Sequence, residues 1–271
     1  MWASDLGFDI LGTRFRLQSQ EDTVASEIDR LWAGWRIRSS AARLRNTYSL
    51  VDTGNGIHLY RDCARLLSAG PPSEMTLRIL MDANRQAIHE YQGFAAHAAV
   101  LASPQRVAAV LGESGIGKTT LAASAVLAGL AYGSDEALCV DRSTQEVVTY
   151  PRPLGLSAHS PELLGIEAGE MYRSTDEAPI EVGRLGGAVM EAGRQLTDII
   201  LPERTDDQAP RFDPLGPADA ASTLLANSFN HFRDPHGSYV LTASLAARVR
   251  VWRLTYSDAR ESGQALADHL Q

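Results

Sequence analysis

Residues 5–19 (DLGFDILGTRFRLQS) alternate apolar with polar positions and break at Gly12-Thr13, which predicts a β-hairpin. From Glu21 to Trp35 the interval changes, and Val24, Ile28, Leu31, Trp32 and Trp35 recur at helical spacing. Strand-like pieces follow at 47–52 and 57–61. The spacing then predicts a longer helix over 73–92, with Ser73 as N-cap and Met75, Ile79, Ala83 and Ile88 along its apolar side. Residues 1–94 therefore read as a small α+β domain. It carries no chemical motif and suits recognition or assembly.

The pattern changes near residue 95. His97–Ala102 and Arg106–Leu111 are apolar runs joined by Ser103-Pro104-Gln105, a short polar turn that favours a hairpin. A loop over 112–117 leads into an alanine-rich helix, 118–128, with Gly129 placed to end it as the C′ residue. Residues 130–134 form a short strand ending at Asp135-Glu136, and 137–141 pairs with 146–150 as a second hairpin. Residues 202–219, rich in Pro and Asp, read as a surface loop. Strand character returns at 248–256, and a helix starts from Asp258.

Gly112-Glu113-Ser114-Gly115-Ile116-Gly117-Lys118-Thr119 satisfies G-x-x-x-x-G-K-[ST] between a strand and a helix. Glycines let the backbone curl until successive N–H groups face one anion, and the helix adds its positive end. Lys118 would reach the β- and γ-phosphates of a nucleotide, with the Thr119 hydroxyl on Mg²⁺. Thr120 follows within the same turn. Asp135-Glu136 comes 17 residues after Lys118, enough for one helix and one strand to return to the same sheet end. Two carboxylates beside a triphosphate have two natural tasks, holding Mg²⁺ and taking a proton from the attacking nucleophile. A hairpin turn centred near Pro104 makes residue pairs sum to about 208, which sets His97 across from Leu111 or Gly112 and beside the loop.

Composition sharpens this picture at one residue. The chain of 271 residues has 25 basic side chains, of which 24 are Arg and one, Lys118, is Lys. No Asn-Lys-x-Asp guanine-reading motif is possible, so ATP is the expected nucleotide. A net charge of −8 argues against nucleic acid or an anionic lipid surface as partner. The cluster Arg36, Arg38, Arg43 and Arg45 reads as a solvated surface. Cys63 and Cys139 are too few for a disulfide scaffold or a zinc site. Asp5 and Asp9 stand where a signal peptide would carry basic residues, and no run approaches 18 apolar residues, so the cytoplasm is the expected location and no membrane the expectation.

His97, the loop 112–120, Asp135-Glu136 and Tyr150-Pro151-Arg152-Pro153 together resemble the bacterial HPr kinase-like family. The resemblance is narrower to its shorter HPr kinase-related serine kinases, some of which occur with lasso peptide biosynthesis. It covers 95–155 well and 196–271 loosely. It implies an α/β P-loop kinase domain of the HPr kinase C-terminal type with a mixed sheet, here 95–271, preceded by the small α+β domain. By resemblance Asp135 is the general base for an acceptor serine, Glu136 with Thr119 holds Mg²⁺, and Arg152 faces phosphate or substrate. His97 would orient the acid or the γ-phosphate. The family's arginine-glycine segment survives at most as a trace in Gly183-Arg184-Leu185-Gly186, and its lysine-rich tail has no counterpart. The HPr substrate and reverse phosphorylase activity are therefore not carried over. Full-length members of the wider family form oligomers, so a homo-oligomer is implied without a subunit number.

Three functions share this site. The first is an ATP- and Mg²⁺-dependent kinase acting on a serine of a peptide or small protein, such as a ribosomal precursor peptide. The second is a kinase of a small-molecule alcohol. The third is a nucleotide-dependent switch that hydrolyses ATP slowly and labels no acceptor.

Overall fold

A computed structural model describes residues 2–38, 46–113, 115–157, 160–166, 172, 176–206 and 208–271. Two compact units emerge, the described residues of Met1–Tyr91 with Gly169–Asp176, and those of Gln92–Ala168 with Glu177–Gln271.

In the first unit β1 (Ser4–Ile10) and β2 (Thr13–Ser19) pair antiparallel, Ile10 opposite Thr13. The turn is Leu11-Gly12, one residue earlier than the sequence suggested, and both residues have positive φ (53° and 82°). A two-residue I′ turn, whose twist matches the strands, requires that conformation. Helix α1 (Asp22–Leu31) is capped by Glu21, whose carboxylate accepts from the Thr23 and Val24 N–H groups. The helix stops four residues short of Trp35, where Gly34 weakens it and Trp32 turns edge-on to Phe8 at 5.0 Å.

Strands β3 (Arg36–Ile37), β4 (Thr47–Asp52), β5 (Ile57–Arg61) and β6 (Ala64–Ser68) complete a six-stranded sheet in the order β3-β1-β2-β4-β5-β6. Helix α2 (Pro72–Glu90) begins with Pro72 at its first turn, so Ser73 is inside the helix and is not its cap. Phe8, Phe15, Leu17, Ile28, Tyr48, Leu50, Met75 and Ile79 are buried in this unit. Of the basic cluster, Arg43 and Arg45 lie outside the described residues.

The second unit is built on one mixed sheet. Its strands are β7 (Phe94–Ala102), β8 (Val107–Leu111), β9 (Ala131–Ser134), β10 (Ala137–Val140), β11 (Glu146–Val148), β14 (Arg194–Gln195), β15 (Asp198–Arg204), β16 (Arg211–Leu215) and β17 (Arg250–Tyr256). The order is β14-β11-β10-β7-β8-β15-β17-β16, with β9 also on β7. Only the β8–β15 and β15–β17 pairings of this sheet are parallel among the described residues. A separate antiparallel pair joins β12 (Leu154–Ser157) to β13 (Glu177–Ile180). The helices are α3 (Lys118–Leu127), α4 (Ser160–Leu164), α5 (Pro217–Ala226), α6 (Pro235–Ala246) and α7 (Ala259–Leu270).

One sheet face packs Phe94, Ala96, Ala98, Val100, Ile199 and Val251 against Leu224 of α5 and Leu241 and Leu245 of α6. Alternate residues point the other way, where α3 and α7 pack on each other and α3 on β7.

The expected surface loop at 202–219 is wrong in most of its length, since β15 runs to Arg204, β16 occupies 211–215 and α5 opens at Pro217. Its prolines misled because each sits where a strand tolerates it. Pro214 is on the edge strand, and Pro202 lies past Ile200, the last β15 residue paired to β8. Among the described residues no helix is long and apolar enough to cross a membrane.

Candidate functional site

The strand β8 is buried throughout (VAAVL), and its chain leaves the sheet at Gly112. Gly115 and Gly117 take φ of +86° and +98°, a left-handed curl that side chains resist, and Gly117 caps α3. Lys118 opens the helix and is only 5% exposed. Its Nζ donates to the Gly112 carbonyl at 2.7 Å and the Glu113 carbonyl at 2.8 Å. Burial lowers the affinity of this ammonium for its proton, and the Glu136 carboxylate works against that loss. Glu113 is exposed, Ile116 and Thr119 are half-buried, and Ser114 lies outside the described residues. Thr120 Oγ1 stands 3.0 Å from Ser160 Oγ, which is 2.8 Å from Ser157 Oγ.

The loop is held from behind by a residue that the sequence reading passed over. Tyr256, the last residue of β17, is buried and donates its hydroxyl to the Ile116 carbonyl at 2.8 Å. A Cβ at Gly117 would come within 3.2 Å of that oxygen. The sequence marked Tyr256 as a strand end but held no sign of which strand end it would meet.

The acid pair sits at a bend between β9 and β10, both of which pair antiparallel with β7. Ser134 is opposite Val100 and Ala137 opposite His97, and the Ala98 N–H donates to the Glu136 carbonyl at 3.2 Å. Ala98 is also the partner of Leu111. Glu136 thus lies level with the end of β8, one strand removed, or about 10 Å at two strand spacings. The same sheet end carries both features.

Asp135 is 4% exposed. Its Oδ1 accepts from the Tyr132 hydroxyl at 2.9 Å and its Oδ2 from the Gly155 N–H at 3.1 Å. Burial raises its proton affinity, and the Arg152 guanidinium is the main counterweight. Glu136 is more open. Arg152, expected to face phosphate or substrate, turns its guanidinium on carboxylates: Glu136 at 2.7 Å, Asp135 at 3.5 Å and Glu177 at 3.7 Å. Burial works against the charge on Arg152, but Asp135 and Glu136 outweigh it and hold the guanidinium protonated.

His97 alternates away from the Ala96–Ala98 face and so stands on the α3 side. The hairpin register sums to 209, placing His97 level with Gly112. Its Nδ1 is 3.0 Å from the Glu136 carbonyl oxygen, an acceptor, so Nδ1 carries the proton. Its ring meets Phe229 edge-on at 5.7 Å.

The chemistry of these donors fits a nucleotide with a hard cation. Among the described residues no three His, Cys, Asp or Glu side chains gather as a cage for a metal. Magnesium bound with a nucleotide needs only one or two protein oxygens, and the Thr119 hydroxyl and Glu136 carboxylate are of that kind.

What the fold and site define is a mixed α/β domain with a glycine-rich, lysine-bearing loop at the end of a parallel strand. No family model matches the chain, and no curated protein matches it. Among solved structures it is similar to the HPr(Ser) kinase/phosphatase from Coxiella burnetii, at 13% identity over 65% of this chain and 92% of that one, with a TM-score of 0.35.

Proposed function

We propose that the chain is an ATP- and Mg²⁺-dependent kinase that transfers the γ-phosphoryl group to a serine hydroxyl of a peptide or small protein. The observation that supports it most is the alignment across β7, which sets the acid pair level with the loop. Lys118 spends two of its three N–H donors on the loop carbonyls, which fixes the ammonium and leaves the third for a phosphate oxygen. The loop amides and the start of α3 add partial positive charge where the transferred group carries negative charge. Asp135, its proton affinity raised, takes the hydroxyl proton as the new oxygen–phosphorus bond forms and the bond to the β–γ bridging oxygen breaks, releasing ADP. Mg²⁺, when bound, neutralises the β- and γ-oxygens. Thr119 and Glu136 would hold it, and His97 fixes the Glu136 peptide from behind. The Met1–Tyr91 unit, which carries none of this chemistry, supports an acceptor large enough to need a recognition surface of its own.

The test is incubation of the full chain with γ-labelled ATP, Mg²⁺ and serine-containing peptides, read by mass. Label should appear on serine and fall about a hundredfold or more in Asp135→Asn while nucleotide still binds. Label released only as free phosphate, with Asp135→Asn unaffected, would replace the kinase with the slow nucleotide switch.

A further inference from the structure

β15 outruns its neighbour. Val110 is level with Ile200, so Leu201 is level with Leu111, the last residue of β8, and Pro202–Arg204 continues alongside the loop after β8 has ended. The strand stays in contact there, since a Cβ at Gly112 would be 3.5 Å from Pro202. Arg204 is directly opposite Tyr256 in the parallel β15–β17 pair. Residues opposite one another share a sheet face. Arg204 is therefore raised on the side where the Tyr256 hydroxyl grips Ile116. Burial holds the Tyr256 phenol protonated, and the positive charge of Arg204 is felt against that effect.

The other arginines of β14–β17 all have partners. On β14–β17, Arg194 donates to carbonyls of the β7–β8 turn, Arg211 pairs with Asp213, Arg250 with Asp198 and Arg253 with Glu203. Arg204 is exposed, and among the described residues no carboxylate or carbonyl takes its guanidinium. Among the described residues no anion takes this strand arginine, and it stands at the sheet end that carries the glycine-rich loop, in a chain with one lysine. A planar guanidinium presents paired N–H donors that match phosphate oxygens. Ligands of parallel sheets gather at these carboxyl ends.

We propose that Arg204 is a second phosphate-binding residue, which grips the polyphosphate of the nucleotide from the β15 side while Lys118 holds it from the loop. This rests on the nucleotide reading of the loop and adds a residue to it.

Calorimetric titration of the full chain with ATP and with inorganic tripolyphosphate tests it without any turnover. Arg204→Ala should weaken both ligands by about tenfold, Arg204→Lys by less, and the melting temperature should not move because the side chain is exposed. Wild-type affinity in Arg204→Ala overturns the proposal. So does a loss confined to ATP, which would put the arginine on the nucleoside. Lys118→Ala separates the two levels of inference. If it abolishes binding while Arg204→Ala does not, only the arginine is misassigned; if the wild type binds neither ligand, the loop reading falls with it.

Discussion

The parallel strands β8, β15 and β17 have two ends, and both carry charge, but the charges are treated oppositely. At the start of β15, Asp198 is fully buried and surrounded. It accepts from Arg106 through Nε at 2.9 Å and also through Nη2, from Thr197 Oγ1 at 2.7 Å and from Trp252 Nε1 at 3.1 Å, with Arg250 Nε 3.2 Å away. At the other end Lys118 donates to two carbonyls, no anion among the described residues takes Arg204, and one guanidinium serves three carboxylates. A charge with a complete, fixed set of partners has nothing left to offer a ligand. The Asp198 end braces the sheet, and under the proposed function the loop end keeps capacity for chemistry.

Breaking the brace should give the largest effect. Asp198→Ala leaves Arg106 largely buried without its carboxylate, and loss of about 3–5 kcal/mol of stability is expected in urea unfolding at neutral pH. The difference should depend on pH with a definite sign. Burial pushes the Asp198 carboxyl up, but the donors from Arg106, Thr197 and Trp252 outweigh it and hold it below its ordinary value. Its contribution is thus complete above the unfolded value of about 3.9 and is lost as pH falls through the lower, folded value. The gap between wild type and variant should narrow in strong acid. A gap that widened there would mean that Asp198 is not ionised in the folded chain.

The matching change at the other end should move binding and not stability. Lys118→Arg keeps the charge but replaces a compact ammonium, seated between two carbonyls, with a broad planar fork. Affinity for ATP should fall about a hundredfold by calorimetry, with unfolding little altered. Full affinity in that variant would erase the distinction drawn between the two ends.

How much of this contrast the sequence held depends on how local each feature is. The curl at Gly115 and Gly117 and the place of Lys118 at the start of α3 were readable because the strand end, the loop and the helix start are written in eight consecutive residues. The β7–β8 and β10–β11 hairpins, and Gly129 with φ of +100° after α3, were readable for the same reason, since short turns and caps are set by neighbours. Asp198 and Arg106 are 92 residues apart, and nothing in either stretch announces the other. The place of β15 between β8 and β17 was hidden likewise, because parallel strands are joined through long crossovers and no turn fixes their order. Arg152 was visible within Pro151-Arg152-Pro153, but its direction was not. That depends on the bend at Asp135-Glu136 and on Glu177, which belongs to a strand 25 residues further on.

The smallest expected effect is also the finest test of how the loop is held. Tyr256→Phe removes one hydroxyl and keeps the ring in its buried site. The Ile116 carbonyl loses its donor, and one neutral hydrogen bond contributes about 1 kcal/mol. If the bond serves only to knit β17 to the loop, that loss appears in unfolding and nucleotide affinity stays as it was. If it holds Ile116-Gly117 in the curl that aims the amides, the freed loop must be reordered on binding. Affinity for ATP should then fall several-fold, with much of the effect in faster dissociation. The second outcome is expected, because Gly117, with φ of +98°, is the residue whose Cβ position lies against that hydroxyl, so the tyrosine meets the backbone where the curl is tightest.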